Sequence, residues 1–153
     1  MARPAILDAF ASHAFLERLD DRCLMDLASG ARPFSAAAGG YIARKGQPAT
    51  ALYLVQSGTA SVGLEDGPDL TRLLTIGPGG VIGWSWLVPP HRWQFTCKAD
   101  GPVSGLMFDA AWLRDRCEQN HELGYHLLKE LITNVTQQLT AIREHTAVAA
   151  QSV

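Results

Sequence analysis

The chain has 153 residues, 47% apolar and 18% charged, which is the balance of a single globular domain. At this length roughly 70% of the unfolded chain's surface can be buried, so the core needs no disulfide or metal staple. Thirteen Lys and Arg against fifteen Asp and Glu give a formal charge of -2, which excludes a sequence-independent grip on nucleic acid.

From Ile6 to Ala31 the apolar residues Phe10, Phe15, Leu16, Leu19, Leu24 and Leu27 recur at helical spacings. Ser12 and Asp20 are candidate N-caps for two short helices there, and Gly30 is a candidate stop. Between Phe34 and Phe108 the pattern changes to short apolar runs punctuated by Gly and Pro: Leu52–Val55, Ala60–Leu64, Leu70–Leu74 and Phe95–Ala99. Strands this short, with turn signals every eight to twelve residues, predict an antiparallel sandwich or barrel. Asp66-Gly67 lies between two runs and predicts a hairpin turn.

The helical period returns over 109–145. Asp109 is a candidate cap for a short helix over Ala110–Cys117, and Asn120 for a long one. In the long helix Leu123, Leu127, Leu131, Val135, Leu139 and Ile142 step by four or three, and Leu128 and Ile132 widen the stripe. A stripe of that width has room for one edge on the roll and another against a partner helix. Leu131 and Leu139 are expected on the partner-facing seam, and residues 146–153 are expected to fray.

Two stretches resemble the cyclic nucleotide-binding domain family. Ala43-Arg-Lys-Gly-Gln-Pro-Ala-Thr-Ala-Leu-Tyr-Leu-Val-Gln-Ser-Gly-Thr-Ala-Ser-Val62 is similar to that family's front half, where a Gly ends one strand, Tyr-x-Val runs down the next and a Gly turns into a third. Leu73-Leu-Thr-Ile-Gly-Pro-Gly-Gly-Val-Ile-Gly-Trp84 resembles the approach to its phosphate-binding cassette. The resemblance covers about residues 8 to 145 and implies a mainly β fold with flanking helices. N-terminal helices lie within 6–31, an eight-stranded jelly roll (a double-stranded β-helix) spans 34–108, and a hinge with a long C-terminal helix closes the domain at 109–145.

In the family resembled, backbone N–H groups at a short helix N-terminus and one Arg meet the cyclic phosphate, and a Glu beside the cassette's Gly accepts the ribose hydroxyl. Aligned on Gly83, Trp84 stands where that Glu belongs. Aligned back from Lys98-Ala99, Trp93 stands at the Arg position, followed by Gln94 and Phe95. With both polar anchors replaced, weak or no binding of cyclic AMP and cyclic GMP is expected. Arg92 is the candidate substitute, one residue early; in a regular strand it would face the wrong side, so a bulge or turn near Pro89-Pro90 is required. His91 is a lesser candidate in the same loop. The candidate ligand-binding residues are Ile82, Gly83, Trp84, Ser85, Trp86, Arg92, Trp93, Gln94 and, from the long helix, Gln138 of the polar run Thr136-Gln137-Gln138. The concentration of Trp84, Trp86, Trp93 and Phe95 has two readings: an aromatic pocket for a planar or apolar ligand, or rings that fill the old pocket. Ser85 and Gln94 are the nearest candidate partners for the indole N–H groups.

The five His include only His91 in the β region, so a cupin-type metal centre is not expected, and His121 and His126 are five apart rather than four. Nucleophile elbows and nucleoside triphosphate loops are absent; Gly77-Pro-Gly-Gly80 reads as a turn. No enzyme activity, metal or cofactor is expected. Cys23, Cys97 and Cys117 are odd in number, which fits a reducing compartment. Met1 to Phe10 lacks the apolar core of a secretory signal, and no apolar run approaches the ~20 residues of a membrane span. About eight residues follow His145, too few for a helix-turn-helix, so no DNA binding by this chain is expected. These features imply a cytoplasmic regulatory or sensor module, a homodimer through the C-terminal helix, with a small-molecule ligand or a protein partner downstream. The alternatives are nucleotide binding through Arg92, and a structural interaction module whose pocket is filled by its own tryptophans.

Overall fold

The computed structural model describes Phe10 and residues 13–151, with side chains as far as Glu144. Its elements run α1 (Asp21–Ala28), β1 (Arg32–Ala36), β2 (Tyr41–Ala43), β3 (Ala51–Ser57), β4 (Ala60–Asp66), β5 (Asp69–Ile76), β6 (Val81–Ile82), β7 (Thr96–Ala99), β8 (Val103–Asp109), α2 (Ala110–Gln119) and α3 (His121–Gln151). The eight strands form two four-stranded antiparallel sheets, ordered β1-β8-β3-β6 and β2-β7-β4-β5. This is the jelly roll flanked by helices that the sequence implies. Strands β4 and β5 pair out to Asp66 opposite Asp69, leaving Gly67-Pro68 as the hairpin loop. Gly67 has φ +60°, a conformation open to glycine, and the following Pro68 fixes its own φ near −65°; this order suits a tight hairpin.

Capping explains where the helices begin. Asp20 accepts from Cys23 N at 2.8 Å to start α1, and Asp109 accepts from Trp112 N at 3.0 Å to start α2. Asn120 accepts from Leu123 N at 3.1 Å to start α3, and its amide donates to Asp26 Oδ2 at 2.8 Å, so one side chain ties the α2–α3 corner to α1. Helix α3 continues through Gln151, past the end expected near His145.

The other expected N-terminal helix is replaced, over residues 13–19, by turns in which Leu16 N bonds His13 O at 2.9 Å and Leu19 N bonds Leu16 O at 3.0 Å. His13 ties these turns to β3: its Nδ1 accepts from Phe15 N at 3.2 Å while Nε2 donates to Val55 O at 3.0 Å. Ser12, the expected cap, lies outside the described residues.

Strand β3 separates two cores by its period of two. Leu52 and Leu54 face the helices, packing with Leu16, Leu24, Phe108 and Leu123. Tyr53 and Val55 face the inside of the roll with Ile82, Trp93, Cys97 and Val103. Each fully buried Leu contributes roughly 1.5–3 kcal/mol, so both faces of β3 hold the fold. On α3, Leu123, Leu127 and Leu131 belong to the helical core. Leu131 is 4% exposed, which corrects its expected place on the outer seam. The residues left outside are Tyr125 (59%), Leu128 (44%), Ile132 (66%), Val135 (36%) and Leu139 (54%). These five form an apolar stripe that the described residues leave exposed on α3.

Candidate functional site

The segment after β6 carries the candidate cassette. Strand β6 is anchored by pairing Ile82 with Tyr53 and Val81 with Leu54. The chain then turns at Gly83, φ +114°, and Leu87 N closes a turn on Trp84 O at 3.1 Å. Opposite this turn, residues 91–93 lie against the 46–49 corner: Trp93 N bonds Gln47 O at 2.9 Å, Gly46 N bonds Trp93 O at 2.8 Å and Ala49 N bonds His91 O at 2.8 Å. Those bonds direct the Trp93 side chain inward.

Inside the roll, Trp93 occupies the space in front of the cassette. It is 8% exposed and stacks on Tyr53 at 6.4 Å between ring centroids, with Tyr53 meeting Phe34 edge-on at 4.9 Å. A methyl group built on Gly83 would lie 2.8 Å from Trp93 Cη2, so glycine is needed there both for its positive φ and for the ring's approach. The cavity that remains has a volume of about 40 Å³. That is about an eighth of the lower end of the roughly 300–1,000 Å³ range of small-molecule pockets.

The cavity's lining brings together Ile82, Gly83, Trp84, Ser85, Trp93, Gln94 and Gln138 from the sequence-derived set. Gln138 Nε2 reaches Val81 O at 3.4 Å and Asn134 Oδ1 at 2.7 Å, which lays α3 across the mouth of the roll. Two candidates stand elsewhere. Trp86, 1% exposed, points into the helical core rather than the roll. Arg92 lies outside the cavity: the backbone around it is irregular, with His91 at φ +57°, yet its guanidinium is exposed and donates to Gly46 O at 2.8 Å. Irregular backbone, which the Arg92 substitution required, is present; the side chain is turned outward by a carbonyl that binds it. Of the polar run on α3, Thr136 Oγ1 donates back to Ile132 O at 2.8 Å, and Gln137 lines the clefts beside the Gly77–Gly80 turn.

Among the described residues no charged side chain lines the cavity. A buried phosphate would find no counter-charge, and an unpaired buried ion costs several kcal/mol. The titratable groups at its edge are held neutral: burial pushes the Cys97 thiol up to about 12 and raises the Tyr53 hydroxyl. The expected indole partner is missing for Trp86, whose Nε1 is buried and has no partner among the described residues; the Gln94 amide donates to Arg92 O at 3.0 Å.

Sequence reasoning missed three features. His13 is a buried joint between the N-terminal turns and β3, a role that long-range contact alone reveals. Glu65 on the outer face of the roll accepts both Arg44 nitrogens at 3.1 Å and Thr96 Oγ1 at 2.8 Å; the Arg44 bonds first, then Thr96, hold its carboxyl below the usual range. A groove of about 420 Å³ opens between α2, α3 and Trp86-Leu87. One further cluster, Asp20, Cys23 and Glu122, places possible metal-ligand atoms within 4.8 Å of one another. Asp20 is occupied as the α1 cap, and burial, with Asp20 next, pushes the Cys23 thiol up to about 12, so the group reads as a helix start.

Two antiparallel sheets rolled around a small apolar interior, with a long helix laid across the opening, define a jelly roll of the sensor-domain type. The chain belongs to the cyclic nucleotide-binding domain family, whose model matches residues 33–120. Among solved structures it is similar to a putative cyclic nucleotide-binding protein from Geobacter metallireducens, at 25% identity and TM-score 0.76, covering 91% of this chain and 99% of that one. It resembles a cyclic nucleotide-binding domain from Methylobacillus flagellatus at 15% identity and TM-score 0.79, covering 92% and 82%. A third likeness is to the sensor domain of the transcriptional regulator DNR from Pseudomonas aeruginosa, at 21% identity and TM-score 0.67, covering 88% and 91%. No curated protein matches the sequence. Among the described residues no helix is long and apolar enough to cross a membrane.

Proposed function

We propose that this chain is a non-catalytic regulatory domain whose nucleotide pocket is closed by its own Trp93, and which acts through pairing of α3 with a second copy. The observation that carries the first half is the indole seated on Gly83, with about 40 Å³ left beside it. The second half rests on the exposed residues 125, 128, 132, 135 and 139, whose spacing of three and four is a heptad seam. Such a stripe is self-complementary about a two-fold axis. A cytoplasmic location fits the three free thiols.

The test is isothermal titration of the purified protein with cyclic AMP and cyclic GMP, repeated on Arg92→Ala. Absence of heat with both nucleotides at millimolar concentration is expected for both proteins. Micromolar binding by the wild type would overturn the closed-pocket reading. Its loss in Arg92→Ala would then assign the rearranged cassette, in which the guanidinium leaves Gly46 O for the ligand.

A further inference from the structure

The groove between α2 and α3 lies on the flank of the heptad seam and shares residues with it. Its walls are Trp86, Leu87, Leu127 and Leu131 from the core side, and Tyr125 and Leu128 from the seam. At about 420 Å³ it is ten times the closed nucleotide cavity. Its lining carries Arg114, whose guanidinium is turned onto Trp86 O at 2.6 Å, and one turn further on Glu118, which forms no ion pair among the described residues. With Tyr125 and Leu128 as the first a and d positions, Gly124 is at g and Lys129 at e. Side by side in parallel, g of one helix faces e of the next heptad on the other, so Gly124 on the groove floor would meet the second copy's Lys129. Lys129 already lies over its own Tyr125 ring, 5.2 Å from the centroid. A mainly apolar groove, with Arg114 engaged by Trp86 O and Glu118 without an ion pair at its edge, thus stands opposite an aromatic ring carrying a cation.

We infer that this groove is the socket for a second copy of the chain: α3 of the partner runs parallel, laying a Tyr125 ring and a Lys129 ammonium over the groove, the latter against Glu118. The inference rests on the helix-pairing reading above and extends it. Contact between copies then includes the hinge helix α2 and the Trp86-Leu87 loop that follows the cassette, and each site is incomplete without the other chain.

Cys117 supplies the readout, because it is a half-buried thiol in the groove, whereas Cys23 and Cys97 are buried. Burial pushes its pKa up to about 11, so labelling with a disulfide reagent is done at mildly alkaline pH. Sedimentation sets the oligomeric state, and labelling is followed on the wild type across dilution and on Ile132→Glu, an exposed seam position away from the groove. The expected result is labelling about tenfold slower in the dimer than in the monomer. Equal rates in a sedimenting dimer would overturn the socket while leaving helix pairing intact, and slow labelling in both forms, as for a co-purified apolar molecule, would overturn it too. A wild type that stays monomeric at tens of micromolar would remove the pairing reading itself. Independently, Glu118→Lys and Lys129→Glu should each weaken the dimer severalfold, and the double variant should recover it. Recovery fails if the helices run antiparallel or leave the groove open.

Discussion

Replacing Trp93 with Ala tests whether the pocket is a packed core. The ring is 8% exposed, stacked on Tyr53 and touching Gly83, so its removal forfeits burial and leaves a void that adds to the existing 40 Å³. A residual void of ~100 Å³ at about 24 cal/mol per Å³ alone gives roughly 2 kcal/mol, and aromatic-to-Ala changes in cores total about 3–5 kcal/mol. For a chain of this length that corresponds to a fall in Tm of roughly 6–20 °C. Thermal and urea unfolding followed by circular dichroism measure it. Free indole should restore part of the loss in the variant alone, because a void of the ring's shape recovers a ligand that the wild type cannot admit. At ten times its dissociation constant, indole should return about 1.4 kcal/mol. A loss below about 1 kcal/mol without an indole effect would refute the argument, since it would mean that Trp93 lies loosely over an open pocket.

Other perturbations test the rest of the scaffold. Burial holds the His13 pKa below the ordinary imidazole value near 6.5, against the backbone bonds to Val55 and Gly80, which raise it. The neutral ring is thus the folded form; its stabilisation is complete above about pH 6.5 and declines as pH falls below that, where the unfolded chain takes up the proton first. Unfolding midpoints of the wild type should drop from pH 7 to pH 5, and His13→Gln should flatten that slope. Ile132→Glu with Leu139→Glu should give a folded monomer by sedimentation and circular dichroism, both sites being exposed. Leu131→Glu should instead destabilise the domain by about 3 kcal/mol or more, because it buries a charge in the helical core. Asn120→Ala removes a helix cap and the bond to Asp26, and should cost about 1–2 kcal/mol by urea titration.

Local signals in the sequence were sufficient for much of this architecture. The strands are read from short apolar runs between Gly and Pro, and the caps at Asp20, Asp109 and Asn120 from their side chains, because these are contacts within a few residues. That Trp84 and Trp93 stand where polar anchors belong is what the resemblance implies, whereas the choice between an aromatic pocket and a plug depends on where the rings pack. Trp86 shows the limit: two residues from Trp84, it serves the other core because the turn after Gly83 reverses the backbone, and no spacing rule anticipates that. Leu131 and Ile132 are neighbours of equal hydrophobicity. Which of them faces the roll depends on how α3 is set down by Asn120 and Leu123, a tertiary fact. His13 was invisible as a joint because its acceptor, Val55, is 42 residues away.

A filled pocket changes what can regulate the long helix. In a ligand-gated roll, occupancy moves the helix only to the extent that the ligand binds two arrangements with different affinity. On the proposed reading Trp93 occupies the ligand's place, and Gln138 on α3 bonds to Asn134 and reaches Val81 O. There is then no free volume through which a cyclic nucleotide could favour one arrangement over another. On the proposed reading, the helix is held in a single position and its exposed seam is always presented. Control of pairing then falls to mass action, which sets the dimer fraction by the concentration of the chain itself. The same reasoning gives a sharp contrast: Trp93→Ala should weaken the domain without shifting its dimerisation, whereas a seam change should shift dimerisation without weakening the domain. If Trp93→Ala altered the sedimentation midpoint of the folded protein, the pocket and the seam would be coupled after all, and the tryptophan would be acting as a built-in ligand rather than as filling.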